Sequence, residues 1–204
     1  MLKNIVKEYI NENRKIVVSL FVCVLVGVIS GLMVYNFSDK DIKDILVSQM
    51  AQSIKASSEG EIIKIGVLYN GMKNNIILVF FMFLFSIMLY GTLLIYLLYI
   101  IKGTAIGIYI GTLFGVFGFW WGILAILVLV VLVNIVFLPA MIYIGSTFVN
   151  YNLNVLEYKN EIGKVDSISK VFLKVCFAMI IIFSSVIFEQ MLSNIAVKIY
   201  NYIA

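Results

Sequence analysis

The amino-acid sequence predicts an all-α, polytopic transmembrane helical bundle of about five spans, with its N-terminus inside. Three observations predict it. Hydrophobic residues make up 63% of the 204 and charged residues only 13%, where a soluble domain carries roughly 25% charged residues. Mean hydropathy is +1.08. The apolar residues also come in runs close to the ~20 needed to cross ~30 Å of hydrocarbon as a helix. One stretch, Gly103 to Leu156, carries no charge at all. A water-soluble fold of this size must leave a large, partly polar exterior, whereas lipid accepts an apolar one directly.

The first run, Ile16 to Tyr35, lies between Arg14 and Lys15 on one side and Asp39 on the other. It is longer than the roughly 7–15 residue core of a cleaved signal, and no A-x-A-like site follows, so it reads as a retained span. A second span is expected from Asn75 to Ile101, ended by Lys102. The uncharged stretch after it is too long for one crossing and right for two. Its natural turn is Gly118-Phe119-Trp120-Trp121-Gly122, where glycines permit a bend and indole rings prefer the membrane interface. That sets a third span over Gly103 to Gly118 and a fourth over Ile123 to Val149. A fifth, Val171 to Phe188, is closed by Glu189. In the tail, 189–204, apolar residues from Met191 to Ile203 recur at helical spacing and suggest a helix lying on the surface or prolonging the span.

The whole chain, 1–204, reads as one integral membrane domain. Placing the N-terminus inside leaves 36–74 outside and 150–170 as an inner loop. Nine Lys and Arg, Lys102 among them, then fall inside and six outside, the bias expected of cytoplasmic segments. In the outer segment, Ser38 with Asp41 three residues later resembles a capping box. Ile42, Ile45, Leu46 and Met50 follow at helical spacing. They suggest an amphipathic helix resting on the membrane, serving as a connector or as a docking surface for an extracytoplasmic partner. Ser53 to Gly60 is its expected flexible link.

Several kinds of chemistry have no residues to carry them. There is no histidine, so no Ser-His or Cys-His pair, HExxH zinc site or haem-ligating histidine can form. No phosphate-binding GxxxxGK[ST] loop is present. Cys23 and Cys176 sit far apart in apolar stretches and read as buried hydrophobes rather than a disulfide or metal pair. The acidic residues avoid the expected spans except Glu189 at an edge, which is interfacial if the helix ends there and pairs with a neighbour if it continues. The basic residues form no dense run that would suit nucleic acid. The expectation is a noncatalytic protein with no cofactor and no metal.

Two intramembrane patterns stand out. Gly103, Gly107, Gly111 and Gly115 repeat at i+4 along one face, and Gly27 and Gly31 share the spacing in the first span. Such glycines let helix backbones approach closely in lipid, within one chain or between this chain and a second copy. In the fourth span Asn134 and Pro139 interrupt an apolar helix, and a kink is expected where proline frees the carbonyl near Ile135.

The layout resembles the stage II sporulation protein M family. The resemblance rests on the basic amphipathic start, the first span with its outer helix, and Asn70-Gly71 and Asn74-Asn75 before the second span. It also rests on Lys102-Gly103 with Gly107 and Gly111, and on Leu138-Pro139-Ala140. Before that last segment the chain reads Leu132 to Phe137, less polar than in related members. The resemblance covers essentially the whole chain and implies a scaffold in the sporulation septum of endospore formers. Its implied partners are the lipid bilayer and two peptidoglycan-degrading proteins, stage II sporulation proteins D and P. A permease or transporter membrane subunit is the alternative expectation.

Overall fold

In lipid, backbone N–H and C=O groups have no water to bond, so each apolar run is driven to satisfy them internally as a helix. The computed structural model describes residues 13–58, 65–157 and 168–203, and the regular structure among them is helical throughout. In order these are α1 (Arg14–Phe37), α2 (Lys40–Ser58), α3 (Ile65–Ile87) and α4 (Gly91–Ile126). A π-helical turn (Leu127–Val131), α5 (Leu132–Glu157) and α6 (Ile168–Ile203) complete the chain.

Three stretches are long and apolar enough to cross a membrane: Arg14–Phe37, Gly91–Val155 and Ser169–Leu192. A shorter apolar helix covers Gly71–Ile87. Their outer faces are apolar as well. Val18, Ile29 and Met33 of α1 and Phe172, Phe177 and Ile180 of α6 are all exposed. Water would penalise such a surface and hydrocarbon does not. The architecture is an all-α, polytopic membrane bundle.

The long central stretch folds back on itself at Gly118, whose backbone adopts φ 71° and ψ −174°. Any side chain there would be strained, because this region is open essentially to glycine alone. Beyond it the chain runs antiparallel to α4: the Tyr99 hydroxyl donates to the Met141 carbonyl, and Thr92 bonds Asn152. Phe119 and Trp120 form the exposed tip of the hairpin. The bundle therefore has a Gly118 end and an Asn152 end.

Two corrections to the span boundaries follow. The run from Asn75 to Ile101 is not one helix: it breaks at Met88, Leu89 and Tyr90, and α4 starts at Gly91 rather than Gly103. The break contains no charge or proline to announce it. Its cause is tertiary, a polar side chain from α5 that bonds both helix ends. Likewise Glu189 does not close the last helix, since α6 runs unbroken from Ile168 to Ile203 and the tail prolongs that helix. The basic start before Asn13, Glu59 and Gly60 of the expected link, and 158–167 of the inner loop lie outside the described residues. So do the tail side chains Ala196, Ile199, Tyr202 and Ile203.

Packing divides into two layers. Toward the Asn152 end, Leu20 and Val24 of α1 meet Met82 of α3, Ile95 and Tyr99 of α4, Ile144 and Phe148 of α5, and Ile182 of α6. Toward the Gly118 end, Ile54 of α2 joins Leu113 and Phe117 of α4, Leu129 and Val130 of the π turn, and Leu192 of α6. α2 is thus a structural part of one end of the bundle.

Candidate functional site

The glycine seam joins α1 to α4. A Cβ on Gly27 would overlap the Ile100 carbonyl oxygen and stand 2.9 Å from the Gly103 Cα. One on Gly31 would overlap the Thr104 carbonyl. The relation is reciprocal: Gly103 and Gly107 face the carbonyls of Val24 and Val28. Backbone thus rests on backbone, where dispersion and Cα–H···O contacts replace the hydrophobic drive that lipid does not supply. The stripe then changes partner. Gly111 makes room for the Tyr35 ring, and Gly115 for Val47 of α2 and the Tyr35 hydroxyl. All six predicted glycines face elements of their own chain.

The same end seats α2. The Ser38 hydroxyl donates back to the Val34 carbonyl at 2.6 Å and closes α1, while the Asp39 carbonyl accepts the Lys43 amide at 3.1 Å to open α2. Ser38 therefore caps the preceding helix, not the following one, because it stands one residue too early for the expected capping box. The Lys43 ammonium donates to the Asn36 carbonyl at 2.7 Å and stiffens this corner.

Val47, Met50 and Ile54 form the inward face of α2, with Ile54 buried. Ile42 and Ile45 point away, 49% and 54% exposed, and Leu46 is half-buried. The four apolar residues expected to share a partner surface are thus divided. At 100° per residue, Ile42 and Ile45 lie about 140–200° around the helix from Val47. The free apolar surface of α2 is Ile42 and Ile45, next to Phe37, which is 87% exposed.

At the opposite end Asn152 was not singled out from sequence, yet it organises the α3–α4 corner. Its amide nitrogen donates to the Ser86 and Met88 carbonyls at 2.9 and 2.8 Å. Its oxygen accepts from the Thr92 amide at 3.2 Å and the Thr92 hydroxyl at 2.8 Å. One buried side chain therefore bonds the Ser86 carbonyl at the end of α3, the Met88 carbonyl in the break and an amide at the start of α4. Only a carboxamide offers donors and acceptor together in this form.

The irregularity expected at Asn134 and Pro139 lies mainly before them. The chain is π-helical over Leu127–Val131, with the Leu132 amide reaching back to the Leu127 carbonyl. Asn134 donates its side-chain amide to the Val130 carbonyl at 2.8 Å, adding a partner beside the widened turn. Pro139 sits inside the continuous helix α5.

The largest departure concerns Lys102 and Glu189, which sequence reading places at span edges. Lys102 lies within α4, about 17 Å along the axis from Gly91 and about 24 Å from Gly118. Its ammonium stands 4.9 Å from the centre of the Phe137 ring of α5. Glu189 lies within α6 and is exposed. A lone charge at the centre of a membrane helix costs roughly 2.5–3.5 kcal/mol on insertion scales. For Lys102 the Phe137 ring face offsets part of that cost. In the sequence each sits where a span could end, and so reads as a boundary.

These features lie within one matched region. The family model described as stage II sporulation protein M matches residues 20–193. No curated protein and no solved structure matches the chain. The match runs from the buried start of α1, through the glycine seam, α2, the Gly118 hairpin and Pro139, to just past Glu189. The chain belongs to the stage II sporulation protein M family.

Proposed function

We propose that this chain is a noncatalytic membrane scaffold of the sporulation engulfment machinery. It anchors peptidoglycan-degrading partners, stage II sporulation proteins D and P by family resemblance, at the septal membrane. The observation that carries this reading is α2. Its Val47–Met50–Ile54 face is committed to the bundle, while Phe37, Ile42 and Ile45 remain exposed beside Asp39, Asp41 and Asp44. A helix held rigidly on one side and apolar on the other suits a docking role.

The proposed topology has five crossings: α1, α3, the two arms of the Gly118 hairpin, and α6. The N-terminus is inside and the Gly118 end faces the wall. Arg14, Lys15, Lys170 and Lys174 gather toward the Asn152 end, which supports placing that end in the cytoplasm. With Lys102 inside α4, eight basic residues count as inner against six outer.

A transporter or permease subunit is the second reading, favoured by Lys102 and Glu189, each an ionisable residue within an apolar helix, and by the π turn. The two separate in one experiment on tagged protein purified from membranes of sporulating cells. The scaffold predicts that both wall hydrolases co-purify with the wild type. Recovery should fall roughly tenfold or more in Ile42→Asp/Ile45→Asp at equal membrane abundance. Wild-type protein that recovers neither hydrolase, yet moves a solute across proteoliposomes, contradicts it.

A further inference from the structure

Hydrocarbon rejects a carboxamide that no other group bonds, and one such side chain lies on an inward helix face of this bundle. Asn75 of α3 is 6% exposed, and no hydrogen bond joins its side chain to any described residue. Asn134 and Asn152, by contrast, each bond a carbonyl within the bundle. Asn75 belongs to the inward stripe of α3, with Val79, Met82 and Ser86 buried at helical spacing after it. A Cβ on Gly71, one turn before it, would stand 3.0 Å from a methyl group of Val186, so this stripe faces α6. α3 runs toward the Asn152 end and α6 away from it, which sets Asn75 at the level of Ile182 to Val186.

That level is deep in the membrane. Asn75 lies about 18 Å along α3 from Ile87, within the ~30 Å of hydrocarbon. Apolar packing is divided nearby: Val79 and Ile182 lie in one buried cluster, and Leu192 of α6 in the other. On α6, Ser185 is fully buried at this level. Its hydroxyl donates to the Ile182 carbonyl at 2.7 Å and keeps lone pairs to accept a further bond. On the flank of the same turn of α3, Asn74 is exposed, so the polar surface does not end at Asn75.

We propose that Asn75 lines a hydrated polar site within the membrane, between α3 and α6, whose ligand is water. Water offers the carboxamide both a donor and an acceptor, which the aliphatic side chains of Val79, Ile182 and Val186 do not. The inference stands apart from the identity of any partner.

The test is the reactivity of single cysteines in the full chain, in membranes opened on both faces and in a background with Cys23 and Cys176 replaced. The probe is a small, water-soluble methanethiosulfonate, which attacks the thiolate, a species that forms where water reaches the sulfur. Asn75→Cys should react roughly tenfold or more faster than Val79→Cys, its equally buried neighbour one turn deeper. Asn74→Cys, which keeps Asn75, should likewise outpace Phe80→Cys, which is exposed on an apolar flank of α3. All four should react alike after denaturation in sodium dodecyl sulfate. Reaction at Asn75→Cys no faster than at Val79→Cys, or at Asn74→Cys no faster than at Phe80→Cys, would overturn the proposal.

Discussion

Asn152 ties α5 to both sides of the break between α3 and α4. It bonds the Ser86 carbonyl of α3, the Met88 carbonyl just beyond it and two donors on Thr92 from a site 1% exposed. Replacing it by leucine should cost about 3 kcal/mol, since the bonds are lost and the groups left behind are buried. Replacement by aspartate should cost at least as much, because a carboxylate still accepts from Thr92 but sets a buried negative charge against the Ser86 and Met88 carbonyl oxygens. Thermal unfolding in detergent should therefore rank wild type above both Asn152→Asp and Asn152→Leu. Wild-type stability of Asn152→Asp would contradict the role given to the amide donors. In the sequence Asn152 stands among Asn150, Tyr151 and Asn154 and reads as part of a loop, because nothing local marks a contact sixty residues away. Lys102 and Glu189 were obscured differently: a charge within an apolar run reads as its boundary.

At the scale of elements, the seam between α1 and α4 was legible because its signal is local and periodic. Glycines four residues apart share a helix face wherever the helix ends. What the spacing does not encode is where backbone contact gives way to side-chain contact. Gly107 abuts the Val28 carbonyl, whereas Gly115 meets the tips of Val47 and Tyr35. Substitution by alanine should separate the two: Gly107→Ala is expected to cost about 2 kcal/mol or more, and Gly115→Ala less than about 1 kcal/mol. Comparable losses in equilibrium unfolding would mean the seam is packed alike along its length. The hairpin at Gly118 was legible for the same reason, since two glycines and two tryptophans punctuate it. The break at Met88–Tyr90 was not, because tertiary hydrogen bonds impose it on a sequence that would continue as helix.

At the scale of the molecule, composition alone led to the membrane, and the exposed apolar faces of α1 and α6 agree with it. The proposed partner surface also depends on sidedness. α1 ends at Phe37, next to the Gly118 hairpin, so α2 and the Phe37–Ile42–Ile45 surface lie at the end opposite Arg14 and Lys170. A wall-facing scaffold requires that end to be outside. Its most direct measurement is labelling by a membrane-impermeant maleimide, in a background with Cys23 and Cys176 replaced. Ser48→Cys, on the exposed side of α2, should react in intact protoplasts, and Ser169→Cys only after permeabilisation. Labelling of Ser169→Cys in intact protoplasts, with Ser48→Cys silent until the membrane is opened, would put α2 in the cytoplasm and contradict a wall-facing scaffold.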